Sequence, residues 1–83
     1  NATLTKTQAT RVAQMAHDGY ARAIYPSHTS GDGDTIFALA TGDSAVTDQS
    51  RVGALAADVV AEAIVRAVRA ATAAAGVPAV RDL

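Results

Sequence analysis

Apolar residues recur at offsets of three and four in two stretches of this chain, and between those stretches they form one unbroken run. In the first stretch Ala9, Val12, Ala13, Ala16, Tyr20, Ala23 and Ile24 share one stripe, with Lys6, Gln14, Asp18 and Arg22 off it, so the spacing predicts a helix over residues 5–25. Thr5-Lys6-Thr7-Gln8 reads as a capping box that starts it, the Thr5 hydroxyl serving the amide three residues on and Gln8 reaching back. Tyr25-Pro26 ends it, because a residue before proline is driven out of the helical region. Gly19 costs roughly 1 kcal/mol relative to alanine inside a helix, and the close approach of another backbone is the simplest reason for it.

The second stretch is the strongest periodic signal: Val52, Leu55, Ala56, Val59, Val60, Ala63, Ile64, Ala67, Val68 and Ala71 keep the same spacing. It predicts a helix over 48–75, with Thr47 or Asp48 as N-cap, Gly76 as the residue that closes it and Pro78 just beyond. Glu62 and Arg66 stand four apart in the favourable order for an ion pair, and residues 79–83 read as a loose tail.

Between the helices, Ile36, Ala38 and Ala40 lie on one side of an extended run and Phe37 and Leu39 on the other. Both faces are apolar, which predicts a buried strand over 34–41 in the middle of a sheet. No second run has strand length and composition, since the short stretch 77–80 is broken by Pro78. Burying unpaired backbone groups costs on the order of 1–3 kcal/mol each, so the strand needs neighbours from elsewhere. The fold class predicted is α+β: residues 1–83 form a single helix-strand-helix segment of a larger assembly, incomplete by itself. A start at Asn1 without methionine fits a processed product or a fragment.

Composition narrows the function. Eighty-three residues make at most one small domain, and the 49% hydrophobic content, mostly alanine and valine, suits close helix packing and excludes intrinsic disorder. A net charge of -1, a pI near 6.0 and 4% aromatic residues leave no basic stripe and no stacking platform, so nucleic acid is not an expected partner. With no cysteine and only His17 and His28 as imidazoles, neither a disulfide nor a structural zinc is expected, and no cofactor is implied. Asp58, Glu62, Arg66 and Arg69 interrupt the longest apolar run, and no signal peptide is visible; a soluble, cytoplasmic protein without a membrane partner is expected.

The chemistry concentrates in the loop 27–33 and the residues that follow it. Asp32 and Asp34 flank Gly33, so in an extended backbone both carboxylates point to one side at the start of the strand. Two acids so placed titrate as a coupled pair and can hold or relay a proton, although Gly and Asp are also favoured in turns for conformational reasons alone. An EF-hand reading fails, because the chain runs into Ile36-Phe37-Ala38-Leu39 where further oxygen ligands are needed. His28 is near enough to act as a base or to orient an acid, while His17, Tyr20 and Tyr25 read as structural. Ser27, Thr29, Ser30 and Ser44 lack any Gly-x-Ser-x-Gly context.

Arg11-Val12-Ala13-Gln14-Met15-Ala16-His17-Asp18-Gly19, then Pro26, His28-Thr29 and Asp32-Gly33-Asp34-Thr35-Ile36-Phe37-Ala38-Leu39-Ala40-Thr41, resemble the C-terminal part of the self-cleaving aminopeptidase family. That family includes the L-aminopeptidase/D-esterase, the β-peptidyl aminopeptidases and the nylon-oligomer hydrolase. The resemblance runs from Asn1 through the second helix. It implies a layered N-terminal-nucleophile-like fold, helices outside stacked sheets, made by a precursor that cuts itself before a serine or threonine. The new N-terminal residue is then the nucleophile, with its own amine as base. By the same resemblance Asp34 is the catalytic acid that holds and polarises the nucleophile, Asp32 supports it, and Gly33 and His28 belong to the loop beside the site.

The nucleophile and its strand lie upstream of Asn1 on this resemblance, and Thr3 and Thr5 are better read as helix-start residues. The chain is therefore expected to need the upstream part, or a second chain, of the same precursor, to act with it on small peptides, amides or esters, and to assemble as a homo-oligomer of two-chain units. The alternative is a non-catalytic interaction fragment that pairs through its strand and packs through its alanine-rich helix.

Overall fold

The computed structural model describes residues 1–83 as two α-helices, α1 (Lys6–Ala23) and α2 (Gln49–Ala70), followed by a 3-10 turn at Val80–Asp82. Thr5 is the N-cap of α1 and forms the full box: its hydroxyl accepts from the Gln8 amide at 3.2 Å, and its own amide donates to Gln8 Oε1 at 2.9 Å. Asp48 caps α2, its carboxylate accepting from the Arg51 amide at 3.1 Å. The first helix leaves helical geometry at Ile24, just ahead of Tyr25-Pro26.

The helices run side by side in the same direction and touch through their smallest residues. A Cβ on Gly19 would lie 2.6 Å from the Ala57 carbonyl oxygen and 2.7 Å from Val60 Cβ, so glycine is what lets the two backbones meet. At the other end of the contact Gly53 leaves room for the Met15 side chain. Val12, Ala13 and Ala16 of α1 and Ala57 of α2 are the buried apolar residues of the crossing, and none is larger than valine. Only 7 of 83 residues are buried in all, and the radius of gyration is 15.4 Å where a self-contained domain of this length has about 12 Å. The pair of helices is a packed face without a core.

Residues 34–41, expected as a strand, form no ladder within this chain: they pair with no other segment, and the only β-bridge joins Ala74 to Val77. The physical reason is the one that made the strand demanding in the sequence, since a ladder needs a second strand to receive its amides and carbonyls. Phe37 and Leu39 are over nine-tenths exposed, at 91% and 92%. Between them and α1 runs an open groove of about 470 Å³, walled by Leu4, Ala9 and Ala13 on one side and residues 36–40 on the other.

The second helix stops at Ala70, five residues short of the expected 75, and Gly76 does not close it. Instead the Arg81 guanidinium donates to the Arg69 carbonyl at 2.8 Å, and a tight turn with Ala75 at φ 51° and Gly76 at φ 78° reverses the chain. Ala79 is buried by this return and Val80 joins Ile64, Val65 and Val68 in one apolar patch, so residues 79–83 are folded back rather than loose. The helix ends at Ala70 although alanine is the strongest helix former. Glu62 and Arg66 form no ion pair; the one ion pair is interhelical, Arg22 to Asp58 at 2.5 Å.

Thr3 belongs to neither helix. Its amide donates to the Val46 carbonyl at 2.9 Å and its hydroxyl to the carbonyls of Gly42 and Ser44, while Ser44 N–H donates to the Asn1 carbonyl at 2.8 Å. Residues 1–3 are thus stitched to the far end of the segment that Asp34 opens. No helix is long and apolar enough to cross a membrane.

Candidate active site at the Asp-Gly-Asp loop

The loop between the helices is shaped by one carboxylate. Asp32 accepts from the backbone N–H of Asp34 at 3.0 Å and from that of His28 at 2.6 Å, closing the loop on both sides of itself. Its own amide donates to the Thr29 carbonyl at 2.9 Å, and the Thr35 hydroxyl donates to the Gly33 carbonyl at 3.0 Å. His28 adopts φ 59°, a left-handed conformation uncommon outside glycine, and the bond to Asp32 holds it there. Gly31 and Gly33 have open space around them and contribute freedom rather than support.

These bonds set the electrostatics. The Asp34 amide first, and the His28 amide second, hold the Asp32 carboxyl below its ordinary value, because both bonds favour the ionised form. Asp32 is therefore a fixed anion whose oxygens are occupied by backbone donors. Asp34 is exposed, and it belongs to no ion pair. Of the two acids it is the one whose oxygens hold no backbone amide.

The structure brings Asp32, Gly33, Asp34 and His28 together in one loop, but it gives them different work. His28 binds Asp32 through its backbone, and its ring turns toward α1, where it lies 5.2 Å from the ring of His17 and 6.4 Å from that of Tyr20. Tyr20 was legible only as an apolar-stripe residue, yet its hydroxyl is 3.5 Å from the Thr35 carbonyl and ties the helix to the loop. The signal that pointed to it was a phenol on the stripe, a side chain that carries a polar tip on an apolar body. No group of three or more His, Cys, Asp or Glu side chains is placed to hold a metal ion.

The chain is 42% identical over 97 aligned positions to a protein named uncharacterized aminopeptidase in Mycobacterium tuberculosis, an alignment covering 100% of this chain and 28% of that protein. The Mycobacterium bovis protein of the same description matches equally, and one from Mycobacterium leprae is 44% identical over 92 positions, covering 94% of this chain and 25% of its own length. The chain thus spans about a quarter of the length of the curated relatives it matches. No solved structure matches it. The model of peptidase family S58 matches residues 1–81, both helices and the acid loop included, and the chain belongs to that family.

Proposed function

We propose that this chain is the acid-bearing, C-terminal part of a self-processing aminopeptidase or amidase, whose serine or threonine nucleophile lies upstream. The observation that carries this reading is the family match over residues 1–81 joined to a loop in which one carboxylate is locked by backbone amides and the next is exposed. The names of the mycobacterial relatives point the same way.

The chemistry is nucleophilic acyl transfer. The nucleophile's hydroxyl attacks the amide or ester carbonyl, and its proton passes to the neighbouring amine, which delivers it to the leaving group. Asp34, exposed at the loop surface, accepts a hydrogen bond from that hydroxyl or from the neighbouring amine in its protonated form, fixing and polarising the nucleophile. Asp32 acts on Asp34 by fixing the backbone amide that precedes the Asp34 side chain. Substrates are small peptides, amides or esters read from their N-terminal residue, and the working molecule is a homo-oligomer of two-chain units.

The unpaired segment 34–41 is the second support. Phe37 and Leu39 face solvent and the groove beside α1 is open, as expected of a strand whose sheet comes from the other part of the precursor. Residues 1–3 are anchored beside Ser44, so an upstream strand that enters at Asn1 and pairs with this segment begins near Asp34, where a nucleophile is needed.

The test is an intact-mass and N-terminal analysis of the full-length protein after purification. Two co-purifying chains, one beginning with serine or threonine, are expected. A single uncut chain that remains uncut on incubation contradicts self-processing, and a folded protein without amidase or esterase activity leaves the interaction-fragment reading in its place.

A further inference from the structure

The rings of His17, Tyr20 and His28 form a continuous cluster between α1 and the acid loop. His17 packs edge-on against Tyr20 at 5.3 Å and tilted against His28 at 5.2 Å. From that cluster two ties enter the loop on either side of the acids. One is the His28 backbone, whose amide donates to Asp32; the other is the Tyr20 hydroxyl, at 3.5 Å from the Thr35 carbonyl. His17 stands at the helix end of both. Its ring Nδ1 is shielded from solvent and has no hydrogen-bond partner, so the ring is held by its faces and not by polar bonds.

We propose that His17 is a positioning residue for the hydrolase site: its ring, wedged between Tyr20 and His28, sets where the loop of Asp32 and Asp34 stands on α1. The inference rests on the reading of Asp34 as the group beside the nucleophile, and it adds a residue that touches no substrate. The bonds of Asp32 fix the loop's internal shape, but Gly31 and Gly33 have nothing against them, so that shape is not by itself fixed relative to the helix. The ring cluster supplies the missing reference. Withdrawing the wedge frees His28, and with it the Asp32 anchor that bonds the Asp34 amide. A displacement of about 1 Å at a reacting group can cost 100-fold in rate.

The experiment compares wild-type full-length protein with His17→Phe, His17→Ala and Asp34→Asn on a panel of aminoacyl p-nitroanilides, reading kcat and KM separately, with melting temperature as the control. Phenylalanine keeps the wedge and removes a polar atom that has no partner, so kcat within about threefold of wild type and an equal or higher melting temperature are expected. Alanine removes the wedge, and kcat is expected to fall roughly 10- to 100-fold with KM nearly constant. His28→Ala removes the same contact from the exposed loop side, where folding is not at stake, and should give the same loss with rescue by His28→Phe. Wild-type kcat in His17→Ala or His28→Ala overturns the proposal. Equal loss in His17→Phe and His17→Ala also overturns it, and assigns the work to a ring nitrogen. Wild-type turnover by Asp34→Asn sinks the underlying reading instead, whatever the histidine variants do.

Discussion

A Cβ on Gly19 would stand 2.6 Å from the Ala57 carbonyl oxygen, a backbone atom that cannot swing aside, whereas one on Gly53 would meet the flexible thioether of Met15 most closely and the Met15 Cβ at 3.1 Å. The two glycines of the helix crossing therefore respond differently to one added methyl. Each alanine gains up to about 1 kcal/mol of helix propensity. At Gly19 the overpacking cost of about 1–3 kcal/mol, with Val60 Cβ also at 2.7 Å, is the larger effect. Thermal melts of the full-length protein are expected to show Gly19→Ala destabilised and Gly53→Ala near wild type. Equal melting temperatures in the two variants would mean that the crossing is looser than described.

The ion pair beside that crossing contributes little. Arg22 and Asp58 meet at 2.5 Å, but their side chains are 54% and 68% exposed, a setting in which such pairs are worth about 0.2–1 kcal/mol and are screened by salt. Arg22→Met is expected to lower stability by less than about 1 kcal/mol in dilute buffer, with the difference fading near 1 M salt. A larger, salt-independent loss measured by denaturant unfolding would show that the arginine stem, not its charge, is what packs there.

Much of this architecture is written locally. The capping box at Thr5 and Gln8, the cap at Asp48 and the close approach at Gly19 depend on residues near in sequence or on a side chain being absent, and all are legible as such. The acid loop is half legible. Asp-Gly-Asp marks the place, but that Asp32 turns back to bind two backbone amides while Asp34 stays free depends on the loop closing in space. Tyr20 is missed for the same reason, its hydroxyl meeting Thr35 fifteen residues away. The apolar run 34–41 shows what local pattern cannot supply, since a run apolar on both faces announces a strand but only a partner makes one. The end of α2 fails differently, because the return of Ala79 and Arg81 onto the helix replaces its last predicted turn.

Acid is expected to loosen the loop at Asp32. Its folded pKa is depressed, so in the range between the folded and unfolded values the folded loop binds fewer protons than the unfolded one. Its contribution is complete above the ordinary aspartate range and is lost as pH falls through the depressed value. In an NMR titration the His28 and Asp34 amide signals should move together with the Asp32 carboxyl, at a pH below that of an ordinary aspartate. Asp32→Asn should abolish this shared transition. A titration at or above the ordinary value would contradict the two amide bonds.

The 83-residue chain prepared alone is expected to lack a cooperative unfolding transition or to self-associate. Its buried residues are few and small, while Phe37, Leu39, Leu55 and Val59 are exposed. Calorimetry combined with light scattering reads both properties. A monomer with a sharp transition would show that residues 34–41 need no partner strand.

Whether Asp34 serves a nucleophile is read from the turnover of full-length Asp34→Asn. The change removes the charge and keeps the shape, so folding should survive. For Asp34→Asn, kcat for amide hydrolysis is expected to fall by about 100-fold or more while KM changes little. Turnover at the wild-type rate in a folded Asp34→Asn protein would contradict that role.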